Sequence, residues 1–232
     1  METTPSKTYN DLAPFYRTMF SRKIDKAEDE LIYAYLKQKE SLITLDYGCG
    51  VGTYAEKIDP IQYVGIDNSG NMIEEAEARI EELKIANCVF FRRDMHDINL
   101  KNRKGKFGLA VSTFCSIGHS SNPDIIAKSI CEMLAPGGHF FLMLPGKRYA
   151  GRKIKRTVGH VNTFSRERAG KIFGPAFGLK TGRVWSFNVY GDTMQKFLPK
   201  FFLKLYLILE TKIFGNTNKG HYVIIEGFKP LK

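Results

Sequence analysis

The run Leu42-Ile43-Thr44-Leu45-Asp46-Tyr47-Gly48-Cys49-Gly50-Val51-Gly52 closes a short apolar stretch with an acid and three closely spaced glycines. A buried parallel strand needs such a sequence when it leaves the sheet through a turn that carries backbone right up to a ligand. Side chains at Gly48, Gly50 or Gly52 are expected to fill the space that ligand requires. Fifteen residues beyond Gly52, Asp67 ends the next apolar run, Val64-Gly65-Ile66-Asp67. That is close to the spacing at which an acid bonds ribose hydroxyls in nucleotide-binding folds. Dinucleotide sites use G-x-G-x-x-G, whereas this turn reads G-x-G-x-G and is preceded by Asp46. An acid there suits a cationic ligand better than a pyrophosphate.

Further segments continue the pattern. Phe90-Phe91-Arg92-Arg93-Asp94-Met95 reads as a third strand ending in an acid, and Phe107-Gly108-Leu109-Ala110-Val111-Ser112 as a fourth. Leu134-Ala135-Pro136-Gly137-Gly138 reads as a turn before a fifth strand, Phe140-Phe141-Leu142-Met143-Leu144. Gly182 to Tyr190 reads as a sixth strand and His221 to Phe228 as a last one. Helical stretches run from Lys23 to Lys39, from Ser69 to Lys84 and from Pro123 to Leu134, and Ser165 caps another. Alternating strands and helices predict a mostly parallel sheet covered on both faces, with ligands outside the carboxyl ends of its strands. Asp46, Asp67, Asp94 and Ser112 all fall at those ends.

In order and spacing these segments resemble class I S-adenosylmethionine-dependent methyltransferases over nearly the whole chain. The resemblance implies an α/β fold with a doubly wound, mostly parallel seven-stranded sheet whose last strand is antiparallel. It also implies a helical N-terminal lid and a C-terminal helical cap. Residues 1–232 form one domain in this reading, with the lid in 1–40, the cofactor-binding core in 41–145, and a substrate-side loop, cap helices and last strands in 146–232. The implied cofactor is S-adenosylmethionine, released as S-adenosylhomocysteine. The implied binding residues are Tyr9, Asp46, Tyr47, Gly48, Cys49, Gly50, Gly52, Asp67, Asn68, Met72, Asp94, Met95, Ser112 and Phe114. Tyr16, His119, Tyr149 and Arg152 are expected at the substrate, and His119 is the candidate catalytic base.

Residues 9–20 are too apolar and aromatic for a free tail, which supports the lid. The segment after the fourth strand lacks the Asn/Asp-Pro-Pro-aromatic signature of enzymes that methylate amino groups of nucleic-acid bases. Cys115 lacks the Pro-Cys setting of a nucleophile toward pyrimidines. The five histidines are scattered and predict no metal site. The four cysteines form no C-x-x-C pair, and the polar start has no signal-peptide core; both favour a reduced, cytoplasmic protein.

The net charge of +11 is unevenly spread. Residues 146–232 hold 18 lysines and arginines against 4 acids, while the remainder holds 17 against 20. The C-terminal part is therefore expected to meet something anionic: a phosphorylated or lipid-like substrate, an acidic membrane surface or RNA. The basic stretch from Lys147 to Arg156 reads as a mobile loop. Residues 196–212 read as an apolar helix with Lys196, Lys200 and Lys204 along one stripe, too short and interrupted to span about 30 Å of hydrocarbon. It suits a cap or peripheral membrane contact. These observations predict methyl transfer to an oxygen or nitrogen of a small molecule. The alternatives are an RNA methyltransferase using the basic half, or a non-catalytic protein that binds the adenosyl ligand.

Overall fold

The apolar runs of the sequence become neighbouring strands of one sheet. The computed structural model describes residues 5–58, 60–98, 100, 102–149 and 161–231. The strands are β1 (Ile43–Tyr47), β2 (Gln62–Asp67), β3 (Cys88–Arg92), β4 (Phe107–Ser112), β5 (Leu134–Pro145), β6 (Lys180–Phe187) and β7 (Tyr222–Phe228). Their order is β3-β2-β1-β4-β5-β7-β6. The first five pair in parallel, and β7 runs antiparallel between β5 and β6. The order reverses where β1 lies between β2 and β4, the place at which doubly wound sheets open a ligand crevice.

The helices are α1 (Pro5–Leu12), α2 (Tyr16–Met19), α3 (Lys23–Lys37), α4 (Thr53–Ile58), α5 (Gly70–Glu82), α6 (Pro123–Met133), α7 (Arg166–Ile172), α8 (Gly191–Met194) and α9 (Lys200–Phe214). Several start on side-chain caps legible in the sequence. Ser69 accepts from Met72 N at 3.2 Å, Asn122 from Asp124 N at 3.2 Å and Ser165 from Arg168 N at 3.1 Å. Each such cap is worth about 1 kcal/mol.

Alternate residues of β5 feed two cores. Phe140, Leu142 and Leu144 join Leu45, Val64, Ile126 and Ile130 on one face, and Phe141 and Met143 join Leu36, Tyr63 and Trp185 on the other. This follows from the period of two along a strand. Each buried Phe, Leu or Ile contributes roughly 1.5–3 kcal/mol.

Several boundaries differ from the sequence reading. β3 runs Cys88–Arg92, so Asp94 lies in the loop two residues past the strand rather than at its end. β5 begins at Leu134 rather than after a turn: its pairing jumps from Phe107↔Leu134 to Leu109↔His139, so Ala135–Gly138 form a bulge within the strand. β6 stops at Phe187 because Asn188 adopts a left-handed conformation (φ 53°). The C-terminal helix starts after Pro199, which leaves Lys196 outside it. Lys200 and Lys204 are not a free stripe, since both pair with Glu30 of α3.

The N-terminal segment folds over the carboxyl ends of the strands. Asn10 Oδ1 accepts from Ser69 Oγ at 2.6 Å and Asn71 N at 3.3 Å, and Arg17 bonds Val51 O at 2.6 Å and pairs with Glu56. These bonds tie α1 and α2 to the loops after β1 and β2.

Candidate active site

The turn after β1 takes all three glycines through positive φ: 74° at Gly48, 53° at Gly50 and 73° at Gly52. The glycines serve different ends. A Cβ at Gly48 meets Ser116 Cβ at 2.3 Å, and one at Gly52 meets Ala76 and Phe90 at 3.2 Å. Only at Gly50 is the nearest atom distant, Tyr16 Cε1 at 3.9 Å. Close protein packing thus explains Gly48 and Gly52, whereas Gly50 alone keeps open space beside the lid.

That space belongs to a cavity of about 260 Å³ at the strand ends. Asp67 stands at its edge with one carboxylate oxygen accepting from Gly50 N at 3.0 Å and the other from Ser69 N at 2.9 Å. Burial raises the Asp67 pKa, and these backbone bonds work against the rise. Asp94 is oriented by His96, whose backbone N lies 2.8 Å and whose Nδ1 lies 2.6 Å from Oδ1. His96 Nε2 reaches Ser120 Oγ at 2.7 Å, so one histidine bridges the loops after β3 and β4.

His119 sits in the same cavity, with Nε2 2.9 Å from the Tyr9 hydroxyl and Nδ1 buried without a partner. Burial lowers its pKa, which favours the neutral ring. Phe114 and Cys115 carry φ of 49° and 76°. Left-handed backbone at two consecutive non-glycine residues costs of order 1–3 kcal/mol each, a strain that clusters at functional sites.

A second cavity, about 200 Å³, lies beyond the lid tyrosines. Tyr9, Tyr16 and Phe114 line both cavities. Its other walls include Asp25, Glu28, Asp29 and Tyr33 from α3, with Tyr149 and Tyr222 from the far end of the chain. Burial pushes Asp29 up to about 6 even with Lys57 Nζ 3.9 Å away.

Of the expected cofactor residues, Tyr9, Gly48, Gly50, Asp67, Asn68, Met72, Asp94, Met95 and Phe114 line the first cavity. Asp46, Tyr47, Cys49, Gly52 and Ser112 are not among its lining residues. Asp46 is buried and accepts from the Tyr63 hydroxyl at 2.8 Å, its other oxygen has no partner, and burial pushes its pKa up to about 7. The Ser112 hydroxyl donates to Tyr47 O at 2.8 Å, tying β4 to β1. Of the expected substrate residues, His119 lines the first cavity, Tyr16 lines both and Tyr149 the second, while Arg152 lies outside the described residues. Sequence reasoning missed His96, Ser116 and Ser120, and it missed the acids of α3. Carboxylates at 25, 28 and 29 within an otherwise apolar helix face were the available signal, because buried acids are rare without a task.

The first cavity fits an adenosyl ligand. It offers two oriented carboxylates for donors, apolar surface from Ile66, Met72 and Met95 for a flat ring, and open space at Gly50.

Comparison with known proteins gives a concordant picture. Residues 38–168 match the family model described as a methyltransferase domain. No curated protein matches the sequence. Among solved structures, an S-adenosylmethionine-dependent methyltransferase of Thermotoga maritima superposes with a TM-score of 0.65 at 16% identity, covering 97% of this chain and 99% of that one. Phosphoethanolamine N-methyltransferase 2 of Haemonchus contortus, in complex with phosphomonomethylethanolamine and S-adenosylhomocysteine, gives 0.60 at 17% identity over 82% of this chain and 49% of that one. Geranyl diphosphate methyltransferase, in complex with its diphosphate and sinefungin, gives 0.61 at 15% identity over 86% and 78%.

Proposed function

The chain belongs to the methyltransferase-domain family, and from that premise we propose that it methylates an oxygen or nitrogen of a small molecule held in the second cavity. The enzyme is an S-adenosylmethionine-dependent methyltransferase and releases S-adenosylhomocysteine. The observation that carries the substrate reading is the shared wall of Tyr9, Tyr16 and Phe114, which sets an acceptor chamber against the cofactor cavity.

Bound S-adenosylmethionine supplies an electrophilic sulfonium methyl. The chain's own task is to hold both partners and exclude water. Asp67 takes the ribose hydroxyls with its remaining lone pairs, and Asp94 and Met95 take the adenine end. Tyr16 and Phe114 close the space between the cavities. Good orientation of two reactants is worth roughly 7–11 kcal/mol of barrier. His119, bonded to Tyr9 and absent from the second cavity's walls, we assign to positioning the lid. Asp29 lines the acceptor chamber with its pKa pushed up to about 6, and it is the residue we assign to take a proton from a hydroxyl acceptor.

Isothermal titration with S-adenosylmethionine, S-adenosylhomocysteine and NAD, followed by methyl transfer to fractionated extract, tests this reading. The expected result is micromolar binding of the two adenosyl ligands alone, with labelled methyl in the small-molecule fraction. Label recovered in RNA would overturn it.

A second reading concerns α9, and we propose that its outer face rests on an anionic membrane surface. Phe201 (74% exposed) and Ile213 (68%) stand out from α9 with Phe202, Leu205, Ile208 and Leu209, and Phe197 (73%) stands out just before it. Residues 196–213 hold four lysines, of which Lys200 and Lys204 share Glu30 of α3, and one acid, Glu210, which turns inward to accept from Val189 N and Tyr190 N. An apolar helix face beside lysines matches interfacial helices. No helix among the described residues is long and apolar enough to cross a membrane. The protein is expected to co-sediment with phosphatidylglycerol vesicles and not with phosphatidylcholine ones. Phe201→Ser with Ile213→Ser is expected to abolish this, and equal sedimentation of the variant would sink the reading.

A further inference from the structure

The carboxyls around the second cavity are not equivalent. Asp25 is gripped by Arg22, with Nη2 at 2.6 Å from Oδ1. Glu56 is held between Arg17 and Arg79, and Asp29 faces Lys57. Among the described residues, Glu28 alone of these carboxyls has no cationic partner within bonding distance. Its oxygens meet the Asn188 side-chain amide and, at 3.3 Å, the Tyr222 hydroxyl, both neutral donors. It is 2% exposed on the inward face of α3. Tyr33, Phe114, Tyr149 and Tyr222 line the same chamber.

A carboxyl buried among aromatic rings, with only neutral donors, lacks the one partner that makes its charge favourable there. Aromatic faces attract cations, and a carboxylate beside them completes a site for an ammonium group. Resting on the reading that the acceptor occupies this chamber, we infer that the acceptor is an amine, bound as its ammonium ion at Glu28.

The surroundings of Glu28 explain how the amine becomes reactive. Burial raises its pKa well above the ordinary value, Asp25 and Asp192 raise it further, and Asn188 and Arg22 oppose the rise. An arriving ammonium supplies the missing positive charge, so Glu28 ionises and releases its proton to solvent. The ammonium N–H then donates its proton to a Glu28 carboxylate oxygen. That leaves a neutral amine with a free lone pair and a neutral carboxylic acid. A neutral amine is the nucleophilic form, and a carboxyl with a raised pKa is suited to accept the proton.

The test uses the whole protein with S-adenosylhomocysteine present and three probes of matched shape: butylamine, butanol and butyrate. Calorimetry is expected to show butylamine binding at least tenfold more tightly than the other two. Repeating it in buffers of different ionisation enthalpy should show proton release on butylamine binding near neutral pH. Glu28→Gln is expected to weaken butylamine at least tenfold, abolish the proton release and leave S-adenosylhomocysteine affinity unchanged. Tyr149→Leu, which leaves the buried pair with Asn188 intact, should weaken butylamine and spare butanol. Equal or tighter binding of butanol or butyrate, or an unaltered Glu28→Gln, overturns the amine assignment while leaving an acceptor chamber in place. No binding of any probe overturns the chamber itself, and with it both readings.

Discussion

The two cavities meet at three aromatic side chains and are assembled in different ways. The first takes most of its walls from residues at or after strand ends: Gly48 and Gly50 after β1, Asp67 to Ser69 at the end of β2, Arg93 to His96 after β3, and Phe114, Ser116 and His119 to Ser121 after β4, closed by Met72 and the lid tyrosines Tyr9 and Tyr16. The register of a parallel sheet brings such positions together whatever lies elsewhere in the chain. The second takes its walls mostly from helices, namely the lid, one face of α3 and Thr53, Glu56 and Lys57 of α4, together with Phe114, Tyr149 and Tyr222. Its chemistry therefore depends on how helices dock, and a helix face can change without disturbing the sheet.

The strongest way to break this comparison is Asp67→Ala. Hydrogen bonds to a charged carboxylate are worth about 1.5–3 kcal/mol each, so S-adenosylhomocysteine affinity is expected to fall at least tenfold. Butylamine affinity in the second cavity should stay within about twofold, since Asp67 does not line it. A tenfold loss at both sites by calorimetry would show that the two cavities are one.

The same contrast explains what was legible in the sequence. The alternating strands and helices and the acids at 67 and 94 were readable because a strand, a glycine turn and an acid leave local signatures, whereas the reversed last strand came only with the family resemblance. The role of each glycine was not, because the collision of a Gly48 side chain with Ser116 joins residues far apart in the chain. Asp46 read as a ligand contact, yet its carboxylate is bonded to Tyr63 on the neighbouring strand. Periodicity marked residues 23–39 as a helix and could not say that Asp25 and Glu28 lie on its buried face. Lys200 and Lys204 read as part of one basic stripe because their partner, Glu30, lies on a helix about 170 residues earlier.

A smaller effect is expected from Tyr9→Phe. It removes the hydroxyl beside His119 Nε2 and keeps the ring that lines both cavities. Loss of one such bond is worth about 0.5–1.5 kcal/mol. Both ligands should weaken by roughly two- to tenfold together, because the lid loosens over both. Weakening of S-adenosylhomocysteine alone would place Tyr9 wholly with the first cavity.

The smallest effect on binding is expected from Asp46→Asn, and it sharpens the comparison through protons. Asp46 lies beneath the glycine turn, and burial raises its pKa from 3.8 to about 7 in the fold. Between those values the unfolded chain loses the proton and the folded chain keeps it, so stability falls as pH rises from about 4 to 7 and levels off above. Asp29 adds to the same slope up to about 6. Asp46→Asn should therefore gain melting temperature relative to the parent at pH 8 compared with pH 4.5, with both affinities nearly unchanged. It should also leave the proton released by butylamine intact, because that proton belongs to Glu28 in the wall of the other cavity. If the release disappears in Asp46→Asn and persists in Glu28→Gln, the titrating carboxyl lies under the cofactor turn, and the two cavities share one charge.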